Sequence, residues 1–168
     1  MGDKVRFIVD QNVGKLSKWL RMMGYDTLFF TDEDDWLMVR AALAENRVIL
    51  TRDTQVMSRG VVSRGRIKAI LIQSEEPEEQ IRQVAATLDL DYQSEPFTIC
   101  LECNQPLEKK SRQQVEGRVP AYVFQTQEQY RECPACHRIY WRGTHWLVMT
   151  ERLKQIAAGR TDKDDAEG

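Results

Sequence analysis

Apolar residues in the first half of the chain alternate between short continuous runs and helical spacing. Residues 5–9 form a β-branched and aromatic run that ends at Asp10, which predicts a strand. The next apolar positions recur at i, i+3, i+4 and i+7, as Leu16, Trp19, Leu20 and Met23. This spacing predicts a helix over residues 15–23, and Gly24 is suited to end it as a C-cap.

The same alternation extends to residue 88. Strands are predicted over residues 27–30, 48–50 and 67–72, and helices over 34–46, from about 54, and over 76–88. Pro77 suits the first turn of the last of these helices. Residues 58–66 are predicted to form a loop rich in glycine and arginine. Continuously apolar strands separated by helices indicate an α/β fold in three layers, with a mainly parallel sheet covered on both faces.

The pattern changes after about residue 89. Cysteines appear, helical spacing fades, and residues 121–124 and 138–141 resemble short strands. A last helix is predicted over residues 150–158, followed by a polar tail. We therefore expect a first domain over residues 1–93, a small metal-stapled domain over 94–158, and a disordered tail over 159–168.

Composition narrows the classes of function. The chain has 168 residues, a net charge of −2 and 30% charged residues, which is typical of a globular protein and excludes a broadly basic nucleic-acid coat. No apolar run approaches the roughly 20 residues that span a bilayer, so no membrane contact is expected. The N-terminal residues do not resemble a signal peptide, and a cytoplasmic location is expected.

Acidic residues follow three of the predicted strands. Asp10 ends the first strand, Asp32, Asp34 and Asp35 follow the second, and Asp53 follows the third. The carboxyl ends of parallel strands lie along one edge of a sheet, so these carboxylates are expected to gather there. Mg²⁺ or Mn²⁺ would relieve their mutual repulsion and would support phosphodiester cleavage.

Aspartates at these positions also have a purely structural use. Aspartate is a favoured helix N-cap, so Asp34 or Asp53 could do no more than accept hydrogen bonds from backbone N–H groups. Phosphatases and receiver domains also place acids at strand ends. The convergence of three strand ends favours a metal site over three independent caps.

Cationic residues accompany the proposed site. Lys15, Lys18 and Arg21 lie opposite the apolar stripe of the first helix and are candidates for phosphate contacts, although a solvated charged face has the same pattern. The basic loop over residues 58–66 is a second candidate for contact with RNA phosphates.

The four cysteines form two C-x-x-C pairs. The first motif contains Cys100 and Cys103, and the second contains Cys133 and Cys136. Two such pairs can close a tetrahedral four-sulfur zinc site, which leaves no open position for chemistry and is therefore structural. Disulfides or free thiols are the alternative, and a cytoplasmic location disfavours disulfides.

Residues 140–146 combine aromatic and cationic side chains, a composition suited to stacking on unpaired bases. A small zinc domain also needs aromatic residues in its core, and we expect Trp141 to serve there. Trp146 and His145 remain open between the two roles, and His137 is expected at the surface.

Several of these segments together resemble the Mut-seven C-terminal ribonuclease family. The resemblance covers nearly the whole chain to about Met149 and is carried by residues 7–16, 19–21, 24–27, Asp35, 49–53, the cysteine pairs and 140–146. It implies a PIN-like nuclease domain followed by a zinc ribbon.

The resemblance also assigns site residues. It implies that Asp10, Asp35 and Asp53 bind a divalent metal. Asp35 is preferred to Asp34 because it keeps the family's spacing to the Thr51-Arg52-Asp53 motif.

This sequence departs from the family at one acidic position. Gln11 stands where the family commonly has an acid, and many PIN nucleases use a fourth acid. Glu75 and Glu76, after the fourth predicted strand, are the candidates for that role.

The resulting hypothesis is a metal-dependent ribonuclease acting on single-stranded or structured RNA. Lys15 or Arg52 would neutralise charge, and Asn12 would orient a ligand or the phosphate. The zinc ribbon would bind RNA or dock on a ribonucleoprotein or protein partner.

Two alternatives remain. The first is a non-catalytic RNA-binding or adaptor protein with the same fold, which the missing fourth acid favours. The second is a phosphatase, which ranks last because Gln11-Asn12 follows Asp10 in place of an Asp-x-Asp pair.

Overall fold

The computed structural model describes residues 4–92 and 96–159. Its first part alternates strands and helices in the order β1 (Phe7–Asp10), α1 (Lys15–Met22), β2 (Thr27–Phe30), α2 (Asp35–Glu45), β3 (Val48–Thr51), α3 (Thr54–Ser58), α4 (Gly60–Ser63), β4 (Ala69–Leu71) and α5 (Pro77–Leu88). A short 3₁₀ turn, Gln11–Val13, connects β1 to α1.

The four strands of this part form one parallel sheet in the order β2-β1-β3-β4. Alternate residues of β1, one of the two inner strands, face opposite layers. Phe7 and Val9 join a core formed with α1 and α5, and Ile8 joins a second core formed with α2, α3 and α4. The predicted three-layer α/β fold is therefore confirmed.

The second part contains β5 (Glu108–Lys110), α6 (Arg112–Val115), α7 (Ala121–Thr126), β6 (Tyr130–Glu132), β7 (Ile139–Tyr140) and α8 (Thr144–Ala157). Its strands form an antiparallel sheet in the order β5-β6-β7. Val115, Val123 and Tyr130 form a small core of its own. This thin core is typical of a domain that needs a metal for stability.

The C-terminal helix packs against the first part. Leu153 and Ile156 of α8 are buried in the core that α1 and α5 share. The Arg152 guanidinium pairs with Glu78 of α5, and Arg82 Nε donates to the Ile156 carbonyl at 3.5 Å. The boundary after residue 93 stays a prediction, but the two parts share this packing.

Three predictions about local structure were wrong. Residues 121–124 are helical instead of extended, because Pro120 presets the backbone just before α7. The last helix begins at Thr144, six residues earlier than predicted, directly after Gly143. The basic loop over residues 58–66 contains α4.

Gly24 lies just past α1 with φ of +91°, as its predicted role at the helix end requires. The prediction of disorder over residues 159–168 lies outside the described residues except for Gly159. Within the described residues, no helix has both the length and the apolar character needed to cross a membrane.

Candidate functional site

Asp10 is buried at the carboxyl end of β1, with 5% of its surface exposed. One carboxylate oxygen, Oδ1, accepts the Gln11 N–H at 2.8 Å. The other, Oδ2, accepts the Thr51 hydroxyl at 2.8 Å and the Asn12 side-chain amide at 3.5 Å. Such donors compensate the burial of a charged carboxylate.

Asp53 lies beyond the neighbouring strand β3 and caps α3. Its Oδ1 accepts the Gln55 N–H at 2.8 Å, and its own N–H donates to the Thr51 hydroxyl oxygen at 3.0 Å. The Thr51 hydroxyl therefore contacts both Asp10 and Asp53. The capping role that the sequence allowed for Asp53 is present, and it leaves Oδ2 without a capping bond.

Asp34 and Asp35 have different roles at the start of α2. Asp34 is the N-cap, and its carboxylate accepts the Trp36 N–H at 3.0 Å. Asp35 lies in the first turn. Burial, followed by the negative charges of Asp53 and Asp10, raises the pKa of Asp35 above its ordinary value of 3.8, and Arg59 opposes this shift. The charges of these three aspartates therefore interact across separate segments.

The three aspartates do not form one tight cluster, although the side chains of Asp35 and Asp53 interact directly. Among the described residues, the four cysteines are the one group of three or more His, Cys, Asp or Glu residues whose ligand atoms all lie within 4.8 Å of one another. Oxygens around a single Mg²⁺ lie at most about 4.2 Å apart, given bonds of about 2.1 Å. Binding of one ion by all three acids would therefore require a side chain to rotate or waters to complete the ligand set.

The predicted cationic residues do not all lie beside the acids. Lys15 is exposed at the start of α1. Lys18 forms an ion pair with Glu102 at 3.0 Å. Arg21 is buried, and its guanidinium donates to the carbonyls of Thr27 at 2.9 Å and Leu101 at 2.7 Å. The structure thus places Arg21 at the junction between the two parts of the chain, and its contact with phosphate stays a prediction.

Arg52 and Asn12 adjoin the acidic residues. The Arg52 N–H donates to Asn12 Oδ1 at 3.2 Å, so Asn12 bridges the ends of β1 and β3. The Arg52 guanidinium lies 3.7 Å from Glu75, whose side chain is 87% exposed. Glu76 precedes α5 without a side-chain capping bond. Neither glutamate is among the groups that act most strongly on the pKa of Asp35.

The four predicted zinc ligands converge. Cys100, Cys103, Cys133 and Cys136 have sulfurs within 4.8 Å of one another, and all four are free thiols. The sulfurs of Cys100 and Cys136 are 3.8 Å apart. Tetrahedral zinc with bonds of about 2.3 Å places its sulfurs about 3.8 Å apart. The donor set and its spacing therefore fit zinc.

The sulfurs differ in how readily they ionise without a metal: the hydrogen bond with Cys136 raises the pKa of Cys103 and burial raises that of Cys133, whereas the pKa of Cys100 is lowered. The Cys133 sulfur lies 3.4 Å from the Ala135 N–H and 3.5 Å from the Cys136 N–H. Burial acts to raise the pKa of Cys100, but hydrogen bonds from the Tyr140 hydroxyl and nearby backbone N–H groups outweigh it and lower the pKa to about 7. A thiol that ionises near neutral pH is a good metal ligand.

His137 is a surface residue, as predicted. Its side chain is 68% exposed and lies 3.6 Å from the Glu132 carboxylate. It is not among the clustered ligands.

Sequence reasoning missed the side chains that support both sites. Thr51 joins two aspartates, Arg59 acts on Asp35, and the Tyr140 hydroxyl lies 3.2 Å from the Cys100 sulfur. The sequence held one signal for Thr51, because it directly follows the third predicted strand as Asp10 follows the first. In the structure Val9 is level with Leu50, so the next residues, Asp10 and Thr51, lie side by side.

These features define a class: a three-layer α/β protein with acids at the carboxyl edge of a parallel sheet, joined to a four-cysteine metal-binding unit. A family model described as the Mut7-C RNAse domain matches residues 5–153. The chain belongs to this family, and the resemblance seen in its sequence is confirmed. A search of curated proteins finds no match to the chain, and neither does a search of solved structures.

Proposed function

We propose that this protein is a divalent-metal-dependent ribonuclease that hydrolyses phosphodiester bonds of RNA. The observation that carries the proposal is the Thr51 hydroxyl, which contacts Asp10 at 2.8 Å and the Asp53 N–H at 3.0 Å and so brings the acids of two neighbouring strand ends together. The pKa of Asp35, raised by burial and by the charges of both, supports the same site. Membership of a family of RNase domains supports the reaction class.

Asp10, Asp35 and Asp53 would hold Mg²⁺ or Mn²⁺ through hard carboxylate oxygens. An ion held there supplies Lewis-acid polarisation of the phosphoryl group and makes water a better nucleophile. In the reaction, water adds to phosphorus and one P–O ester bond breaks.

The protein's own contribution is positioning. Thr51 fixes the Asp10 carboxylate, and Asn12 is held between Asp10 and the Arg52 N–H. Lys15 is exposed at the start of α1, where its ammonium group would attract the RNA backbone. Arg52 would neutralise phosphate charge after leaving its loose pair with Glu75.

The zinc ribbon would hold the second part folded around a structural zinc and supply RNA affinity or docking to a protein partner. Its four sulfurs leave no open position on the metal, so we assign it no catalytic step. Free thiols in this number fit a reducing compartment, and we propose a cytoplasmic location.

A non-catalytic RNA-binding protein is the second candidate function. It is favoured because, among the described residues, no three acids have ligand atoms all within 4.8 Å of one another. Gln11 favours it as well, because it stands where the resembled family commonly has an acid.

Cleavage of labelled RNA by the zinc-loaded protein, with and without added Mg²⁺ or Mn²⁺, separates the two candidates. We expect cleavage only with added metal and a loss of about 100-fold or more in Asp10→Asn. Asp32→Asn is the matched control, because Asp32 is an exposed aspartate that accepts the Asp34 N–H, and asparagine keeps that acceptor. RNA binding without cleavage under either metal would select the adaptor function. Equal cleavage by wild type and Asp10→Asn would refute the proposed site.

A further inference from the structure

A cavity of about 530 Å³ lies between α7, β7 and the start of α8. Its volume is within the range of sites that bind small molecules. Its walls are rich in aromatic rings, contributed by Phe97, Tyr122, Tyr140, Trp141 and Trp146. None of the three aspartates of the proposed metal site lines it, so it is a separate feature of the molecule.

Phe97 holds two of these rings in place. It makes edge-to-face contacts with Tyr140 at 6.1 Å and with Trp146 at 6.0 Å between ring centroids. Its backbone adopts φ of +66°, which is unfavourable for a bulky side chain. Such backbone strain is concentrated at ligand sites, where the surrounding structure enforces it. The aromatic wall is therefore built at a conformational cost.

The ionisable groups around the cavity match an anionic ligand. Arg142 and His145 line it, and among the described residues that line it none is an aspartate or glutamate. The Arg142 guanidinium lies 5.1 Å from the centroid of the Trp146 ring, and that of Arg131 lies 5.4 Å from the Phe97 ring. In a chain with a net charge of −2, this is a local excess of positive charge.

The cavity also has an unused donor in its wall. The Trp146 Nε1–H is buried and has no hydrogen-bond partner among the described residues. A buried N–H without a partner is unfavourable, and a small shift of the indole would offer it to an acceptor in the cavity. A purely apolar occupant, such as the side chains of a protein segment, would leave this donor unpaired.

We propose that this cavity binds an unpaired nucleobase of an RNA strand. The base would stack on Tyr122, an acceptor on its edge would take the Trp146 N–H, and a neighbouring phosphate would lie near Arg142. The inference rests on the proposed function in taking RNA as the ligand. It assigns to the junction of zinc ribbon and α8 a base-binding site that is independent of the metal-dependent step.

Fluorescence anisotropy with a labelled single-stranded hexaribonucleotide tests this site. The zinc-loaded protein is used without added Mg²⁺ or Mn²⁺, so that cleavage does not interfere. Tyr122 is 68% exposed, so Tyr122→Ala removes a ring without opening the core. We expect this variant to bind about 5- to 100-fold more weakly. Trp146→Phe keeps an aromatic ring in the wall but lacks the indole N–H, and we expect a smaller loss.

Two control variants lie on α8 outside the cavity lining. Val148→Ala trims an exposed apolar side chain, and Lys154→Gln removes one positive charge, matched to Arg142→Gln. We expect Arg142→Gln to weaken binding clearly more than Lys154→Gln. An abasic oligomer of the same length should bind wild type and Tyr122→Ala equally weakly.

The inference is overturned if the normal and abasic oligomers bind wild type with equal affinity, which would leave the cavity to a protein partner. It is also overturned if Tyr122→Ala and Arg142→Gln both bind like the control variants. Failure of the nuclease proposal gives a different result, in which no metal induces cleavage while the base-dependent affinity persists.

Discussion

The Thr51 hydroxyl donates to Asp10 Oδ2 at 2.8 Å and accepts the Asp53 N–H at 3.0 Å. Thr51 is completely buried at the end of β3. One side chain thus links the acid of β1 to the acid that caps α3. Two of the three proposed metal ligands therefore depend on a residue that binds no metal itself.

Replacing Thr51 with valine tests this link. Thr51→Val keeps the shape but removes the donor to a buried carboxylate and the acceptor for Asp53. We expect the free energy of unfolding to fall by about 1.5–3 kcal/mol, as measured by urea denaturation. Metal-dependent cleavage should fall as well, and Thr51→Ser should restore it. Full activity in Thr51→Val would show that the link has no role in positioning.

Asp35 is a proposed metal ligand, yet its charge is expected to destabilise the fold when no metal is bound. Burial and the charges of Asp53 and Asp10 raise its pKa above 3.8. Between pH 3.8 and the raised pKa of Asp35, the folded state binds more protons than the unfolded state. The free energy of unfolding therefore falls as the pH rises through this range, because the Asp35 carboxyl ionises less readily in the folded state. Without divalent metal at pH 7, Asp35→Asn should therefore have a higher Tm than wild type, and the gain should vanish below pH 3.8.

Asp34→Asn is the matched control for this measurement. Asparagine keeps the N-cap acceptor that Asp34 provides, and the variant removes a charge one position away. We expect it to retain cleavage and to lack the pH-dependent gain in Tm. The same pH dependence in both variants would attribute the effect to the general charge of the segment.

Arg21 is expected to act on folding rather than on RNA. Arg21→Lys removes the geometry that joins the carbonyls of Thr27 and Leu101, and the free energy of unfolding should fall by roughly 1.5–3 kcal/mol. Lys18→Gln breaks only an exposed ion pair with Glu102 and should cost about 1 kcal/mol or less. Denaturant titrations compare the two. If Arg21→Lys keeps its stability but binds RNA more weakly, the result would instead support a phosphate contact by Arg21.

Cys133→Ser should abolish zinc binding. Its sulfur is buried in the four-cysteine cluster, and three remaining sulfurs do not close a structural site. We expect zinc content to fall from about one ion per chain to near zero, with loss of near-UV signal from the aromatic residues of the second part. Metal analysis measures the first effect and circular dichroism the second. Full zinc content in the variant would contradict a four-sulfur site.

The sequence was sufficient for the elements whose signal is local. The parallel sheet, α1 with Gly24 at its end, and the convergence of the cysteine pairs follow from spacing and period. The helix α7 was misread because its aromatic and β-branched residues favour strands, whereas Pro120 and tertiary packing determine the outcome.

The roles of long side chains could not be read from the sequence. Arg21 lies on the polar side of the α1 pattern, yet it is buried because Leu101 and Glu102, 80 residues and more further along the chain, supply carbonyl acceptors there. The hydrophobic pattern carries no information about such partners. The same holds for Tyr140, which follows the second cysteine motif in the sequence but whose hydroxyl contacts Cys100 of the first motif.

The central claim is that Asp10, Asp35 and Asp53 hold one divalent site. Titration of Mn²⁺ into the zinc-loaded protein, followed by electron paramagnetic resonance of the free ion, measures it directly. The account predicts saturable Mn²⁺ uptake by wild type and by Asp34→Asn, and strongly weakened uptake by Asp10→Asn and by Asp35→Asn. Equal uptake by wild type and all three variants, or none by wild type, would contradict it.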